Sequence, residues 1–290
     1  MSRINFSLGF TLLEMAILLL VIGLILSGLL PTLSVVVENR KRAQAMSELK
    51  EIREALLGFA VIHKRLPCPA VSLSAGRELP NPPSDADCNR PIGFLPASTL
   101  GLINVDTPVG NIINFWDAPN RFSPQALMLD PWGQPYLYGI YQNDPACDRL
   151  TKPNALTINQ PIFSGNNCQV LKTKTSCEHP GLKIFDCTTC DNNPANLLLN
   201  EQFLLTKEAV AVVFSQGKFT VDTQTRINYP LEWVNLSREI TEEFPDLPLC
   251  RERDVFITGT YNHVDSKYRF DDLMVWISPT VLYHRISNGF

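Results

Sequence analysis

Cysteine is absent before residue 68, and charge is absent between Glu14 and Glu38. All eight cysteines therefore lie on one side of an uncharged run. Histidine is scarce. The chain has four, His63, His179, His263 and His284, and their spacing matches no metal-binding motif. No glycine-rich phosphate loop occurs, and "VFSQG" lacks the first glycine of a nucleophile elbow. An excess of positive charge is missing as well. Lys and Arg number 25 against 29 Asp and Glu, a net charge of −4, and the one basic block is Arg40-Lys41-Arg42. These absences speak against an enzyme and against a nucleic-acid binder.

What the chain does have is an apolar N-terminal run, "LGFTLLEMAILLLVIGLILSGLL" at residues 8–30. As a helix, the uncharged residues 15–37 would extend about 34 Å, enough for a hydrocarbon core of about 30 Å. The run is too long for a secretory signal, whose apolar part has about 7–15 residues. The A-x-A at Ala43-Gln44-Ala45 follows the charged "ENRKR", a poor place for signal peptidase. A plain single-pass anchor for a periplasmic enzyme or binding protein fits the length. It gives no reason for Glu14, whose carboxylate costs about 2 kcal/mol or more near a bilayer centre and less at its edge.

A short polar leader with Arg3 ends in Gly9, followed by Phe10, then "TLLE", then the apolar run. This arrangement resembles the processing site of type IV prepilins and type II secretion pseudopilins. The resemblance implies that prepilin peptidase cuts between Gly9 and Phe10 and methylates the new Phe10 amine. It implies that Glu14 serves assembly, neutralising the Phe10 ammonium of a neighbouring subunit inside an apolar helix bundle. The simpler role for Glu14 is that of a first-turn acid, favoured by the helix dipole by about 0.3–1 kcal/mol. Gly23 and Pro31 fall where many pilins carry helix-weakening residues. Gly23 and Ser27 also form a small-xxx-small pair that lets helices approach, although glycine is common in membrane helices generally. The leader is then cytoplasmic, and the chain crosses the bacterial inner membrane once, with the remainder periplasmic. The implied partners are other pilin or pseudopilin subunits, prepilin peptidase and the inner-membrane assembly platform.

The helical pattern continues past the apolar run. Met46, Leu49, Ile52, Leu56, Phe59 and Ile62 recur at three- and four-residue steps between charged residues, and "RLPCP" stops the helix after His63. Residues 1–9 thus read as leader, 10–37 as the membrane part of one long helix, 38–65 as its amphipathic second half, and 66–290 as a globular head. Within the head, 129–141, 208–221, 254–260 and 273–278 read as strands with turns, the first opening on the Asp-Pro-Trp-Gly turn at 130–133. One long helix followed by strands predicts an α+β fold, the helix packed on an antiparallel sheet. "DPWGQPYLY", "FDDLMVWIS" and "RLPCPA" are similar to segments of pilin-like heads. Residues 142–205 match no such segment and read as a cysteine-rich insertion. The large head points to a minor subunit.

The eight cysteines, Cys68, Cys88, Cys147, Cys168, Cys177, Cys187, Cys190 and Cys250, are expected to form disulfides in an oxidising compartment. Zinc is the competing reading, because "CTTC" at 187–190 has ligand spacing and His179 is near, but a second C-x-x-C is lacking. Cys68 and Cys88 are expected to pair across the proline-rich loop between them, a closure worth about 3 kcal/mol. Asp265, Asp271 and Asp272 offer oxygens of the kind Ca²⁺ takes, and the resemblance to pseudopilins points the same way. Lys267 and Arg269 within that loop favour a solvated turn with local salt bridges instead, so no cofactor is expected.

Overall fold

A computed structural model describes residues 12–71, 74–79, 88, 92–103, 127–141, 150–151, 154, 156, 181–186, 201–218, 255–259 and 271–288, without the side chains of 24–33, 201 and 255. It divides into two compact units, Met1–Gln44 and Ala45–Phe290. The chain order is α1 (Leu12–His63), β1 (Ile92–Phe94), β2 (Leu137–Ile140), β3 (Leu182–Asp186), a 3₁₀ turn at Glu201–Phe203, β4 (Leu204–Ala209), β5 (Ala211–Ser215), β6 (Val255–Thr258), β7 (Leu273–Ile277) and α2 (Pro279–Asn288).

In the first unit, α1 carries Glu14 in its first turn and continues through Gly23, Ser27 and Pro31. Leu12, Leu13, Met15, Ile17, Leu18, Leu19, Leu20, Val21 and Ile22 are exposed, as are Val35, Val36 and Val37. Among the described residues, no helix is long and apolar enough to cross a membrane. The expected crossing at 10–37 is described with its side chains only at 12–23 and 34–37.

The second unit is α+β, with the helix packed on an antiparallel sheet. Four strands form that sheet in the order β1-β2-β5-β7, every neighbour antiparallel. Side chains alternate across a strand, and both faces are used. Tyr138, Ile140, Ala211, Val213, Val275 and Ile277 join the core containing Leu49, Ile52, Leu56 and Ala60 of α1. Leu137, Val212, Phe214 and Met274 point the other way, into a core with Leu182, Ile184, Ala209 and Phe256. Two covered faces explain why β5 is buried at every position and why its sequence shows no polar alternation.

The second core is closed by a three-stranded sheet, β4-β3-β6, that the sequence reading did not anticipate. It is mixed, since β3 runs antiparallel to β4 and parallel to β6. β3 lies within the 142–205 segment. The chain passes between sheets at Val210, whose N–H donates to Ile277 O and whose carbonyl accepts from Tyr141 N. After β7 the chain forms α2, also unanticipated. Its Leu282 and Ile286, one helical turn apart, bury against the α1 core.

One expected core position differs. Ile62 is 69% exposed, whereas Leu49, Ile52, Leu56 and Phe59 are buried and Met46 is partly buried. Steps of three residues turn only about 300°, so by Ile62 the stripe has drifted about 120° from its buried centre. Ala45, Leu57 and Ala60 fill positions in its place.

Candidate functional site

α1 ends by covalent necessity. Lys64 takes the left-handed conformation (φ 54°) and donates its N–H to Ala60 O, a helix-terminating arrangement. Pro67 and Pro69 then preclude further helix. Near this end the Phe59 ring stacks with His63 at 4.1 Å and has the Arg65 guanidinium 5.0 Å from its centroid.

Of the residues singled out for processing and assembly, Gly9 and Phe10 lie outside the described residues. Glu14 sits in the first turn of α1 with its side chain exposed, where the helix dipole favours an acid. Gly23 has open space where a Cβ would be, and Ser27 and Pro31 are within the helix. The exposed apolar side chains around Glu14 make this stretch a surface that water does not favour.

Cys68 and Cys88 form the expected disulfide, with Cα atoms 5.3 Å apart. Cys147, Cys168, Cys177, Cys187, Cys190 and Cys250 lie outside the described residues, as does Asp265. Asp271 and Asp272 are 1% and 3% exposed, which corrects the expectation of a solvated turn. Asp271 Oδ2 accepts from Lys218 N at 2.7 Å, and a Cβ on Gly217 (φ 69°) would fall 2.6 Å from that carboxylate. The acid is therefore built into the turn that follows β5. Among the described residues, no three His, Cys, Asp or Glu side chains gather as metal ligands.

Three polar links were not foreseen from the sequence. The first organises the Asp-Pro-Trp-Gly turn. Asp130 Oδ1 accepts from Trp132 N (2.9 Å) and Gln134 N (2.8 Å), while Ser215 Oγ donates to Oδ2 at 2.5 Å. Burial raises the Asp130 carboxyl above the ordinary carboxylate range, and the hydrogen bonds from Ser215 and the turn amides oppose that rise. The second link joins the turn to the helix, Tyr136 Oη donating to Glu48 Oε2 at 2.7 Å. Burial, then the bond to Glu48 and its charge, hold the phenol well above its usual value, so it remains a donor. The third is a buried bidentate pair, Arg65 with Glu78, both contacts at 2.7 Å. Nothing in the sequence signals it, because Glu78 lies thirteen residues beyond Arg65 and spacing alone does not bring them together. An exposed pair, Arg285 with Glu54 at 2.7 Å, ties α2 to α1 and is of the kind that contributes about 1 kcal/mol or less.

No protein-family model matches this chain, and no match was found to a curated protein or to a solved structure.

Proposed function

We propose that this chain is a pilin-like structural subunit, a minor component of a type II secretion pseudopilus or type IV pilus. The observation that carries the reading is "SLGFTLLE" placed directly before an uncharged helical run. Two structural features support it. Among the described residues, the N-terminal stretch of α1 exposes its large apolar side chains from Leu12 to Ile22 and at Val35, Val36 and Val37, a surface suited to a lipid or helical partner. The later stretch of the same helix is packed into the face of an antiparallel sheet.

In this reading, prepilin peptidase removes residues 1–9 and the Phe10 amine is methylated. The helix is held in the bacterial inner membrane with the head in the periplasm, until the assembly platform passes the subunit into a filament. There, Glu14 meets the Phe10 ammonium of the adjacent subunit. Either charge alone is costly in an apolar bundle, and together they are tolerable. The work is mechanical and needs no cofactor, no catalytic residue and no nucleic acid.

Intact mass and N-terminal sequencing of the protein from membranes test the proposal. The expected product begins at N-methylated Phe10. A chain still starting at Met1 in cells with active prepilin peptidase would leave residues 1–37 as a mere tether, the arrangement of an anchored periplasmic enzyme or binding protein.

A further inference from the structure

We propose that Arg40, Lys41 and Arg42 form a cationic band on α1 that binds the phosphates of anionic phospholipids in the periplasm-facing leaflet. The inference rests on the reading above in which residues 10–37 cross the membrane, and it names the lipid that the anchor prefers.

The band lies wholly within the first unit, on a helix that runs without a break from Leu12. Charge is absent between Glu14 and Glu38, and three cations then follow one acid, which leaves residues 38–42 with a net charge of +2. At about 1.5 Å per residue, Arg40 stands about 39 Å along the axis from Glu14. A bilayer is about 30 Å thick across its hydrocarbon and about 40–45 Å with its headgroups. With Glu14 at one lip, the band therefore falls among the headgroups of the other leaflet. Val35, Val36 and Val37, immediately before it, are exposed and mark the end of the apolar surface.

Side-chain direction favours the same partner. On a helix every Cα–Cβ bond tilts toward the N-terminus, so long side chains reach back over the preceding turn. For Arg40, Lys41 and Arg42 that turn carries the valines, and the charged heads lean toward the bilayer. Arg40 is exposed, and among the described residues neither it nor Lys41 joins an ion pair. Glu38 precedes Arg42 by one helical turn and offsets one charge of the three. Successive residues turn about 100°, so the three cations spread over about 200° of the circumference. A single acidic face of a protein partner meets part of such a band, whereas lipids surround it. The band also runs against the usual excess of Lys and Arg on the cytoplasmic side, and headgroup phosphates are the anions that meet a basic segment at this depth.

The full-length chain in phosphatidylcholine vesicles, doped with spin-labelled phosphatidylglycerol or spin-labelled phosphatidylcholine, tests this. At low salt the lipid shell around the protein should favour phosphatidylglycerol at least about fivefold, the worth of one basic residue at an anionic surface. High salt should erase most of the preference. Arg40→Gln/Lys41→Gln/Arg42→Gln should bring the ratio to about one. Glu38→Gln, which removes the acid alone, should raise it above the wild type and does not depend on the triple variant inserting. No preference in a chain that resists carbonate extraction overturns the band alone and leaves the membrane reading standing. Release of the chain by carbonate overturns both. A preference that survives the triple change overturns the proposal, as does its loss to excess soluble glycerol phosphate, which would mark a free-phosphate site. Cross-links to a partner subunit that vanish in the triple variant, with no lipid preference in the wild type, give the band to acidic protein side chains instead.

Discussion

Between Leu12 and Ile22, α1 exposes one large apolar side chain after another, and between Ala45 and Ala60 the same helix buries Leu49, Ile52, Leu56 and Leu57. Both stretches are helical and both are rich in leucine and isoleucine. Their difference lies in arrangement. The first is apolar on every side, so no single protein face can cover it. The second confines its apolar residues to a stripe, with Glu48, Lys50, Glu51, Arg53 and Glu54 on the remaining surface, and the sheet together with α2 covers it. An apolar helix thus shows how much of its circumference needs cover before it shows what supplies it.

The largest effect should come from the acid that interrupts the uniform stretch. On the proposed assembly, Glu14→Leu strands the Phe10 ammonium of a neighbour, and breaking a buried pair in this way costs about 3–5 kcal/mol. The variant should insert and be cut at Gly9, since leucine is more at home in lipid than glutamate, yet fail to join filaments. Cross-linking to partner subunits at matched expression measures this. Equal recovery in filaments would reduce Glu14 to a first-turn acid.

A matched pair of leucines probes the comparison directly. Leu56 is fully buried between α1 and the sheet. Leu56→Ala should lower the stability of the head by about 2–5 kcal/mol in urea titrations. Leu18 is exposed, and Leu18→Ala should leave the same transition within about 0.5 kcal/mol. Similar losses at both sites would mean that the two stretches of helix share one set of contacts.

The smallest effect is a pH dependence inside the packed region. Burial raises Asp130 in the folded state. Its contribution is therefore fully present below the unfolded-state pKa and is lost as pH rises through the higher folded-state value. Asp130→Asn keeps a neutral side chain throughout. Its stability relative to the wild type should improve from about pH 3 to about pH 7, read from urea midpoints at each pH. A gap that widens against the variant over this range would show that the hydrogen bonds from Ser215, Trp132 and Gln134 outweigh burial.

Reading from the sequence went furthest where local chemistry decides the outcome. The end of α1 at His63 follows from Pro67 and Pro69, the turn at 130–133 from Asp-Pro-x-Gly, and β6 and β7 from their apolar runs. It stopped where remote segments decide. β4 reads "LLTKEA" and β3 "LKIFD", too short and mixed to separate from loop. α2 has only Leu282 and Ile286 to commend it, and forms because α1 offers them a place. The aspartates at 271 and 272 read as solvent-facing because their partners, such as Lys218 N, belong to a turn far away in the chain.

By itself the sequence determined the long helix, its uniform and striped stretches, the class of the fold, and the pairing of Cys68 with Cys88. Each of these depends on neighbours a few residues apart, or on a short covalent loop, and composition controls such contacts directly. Only the tertiary structure decided that the central sheet is covered on both faces, that the chain changes sheets at Val210, and that Asp130, Tyr136, Glu78 and Asp271 find the partners they do. A buried polar group can be tolerated only where another segment supplies its hydrogen bonds. Which segment arrives is settled by how the layers stack, and the spacing of residues along the chain carries no record of it.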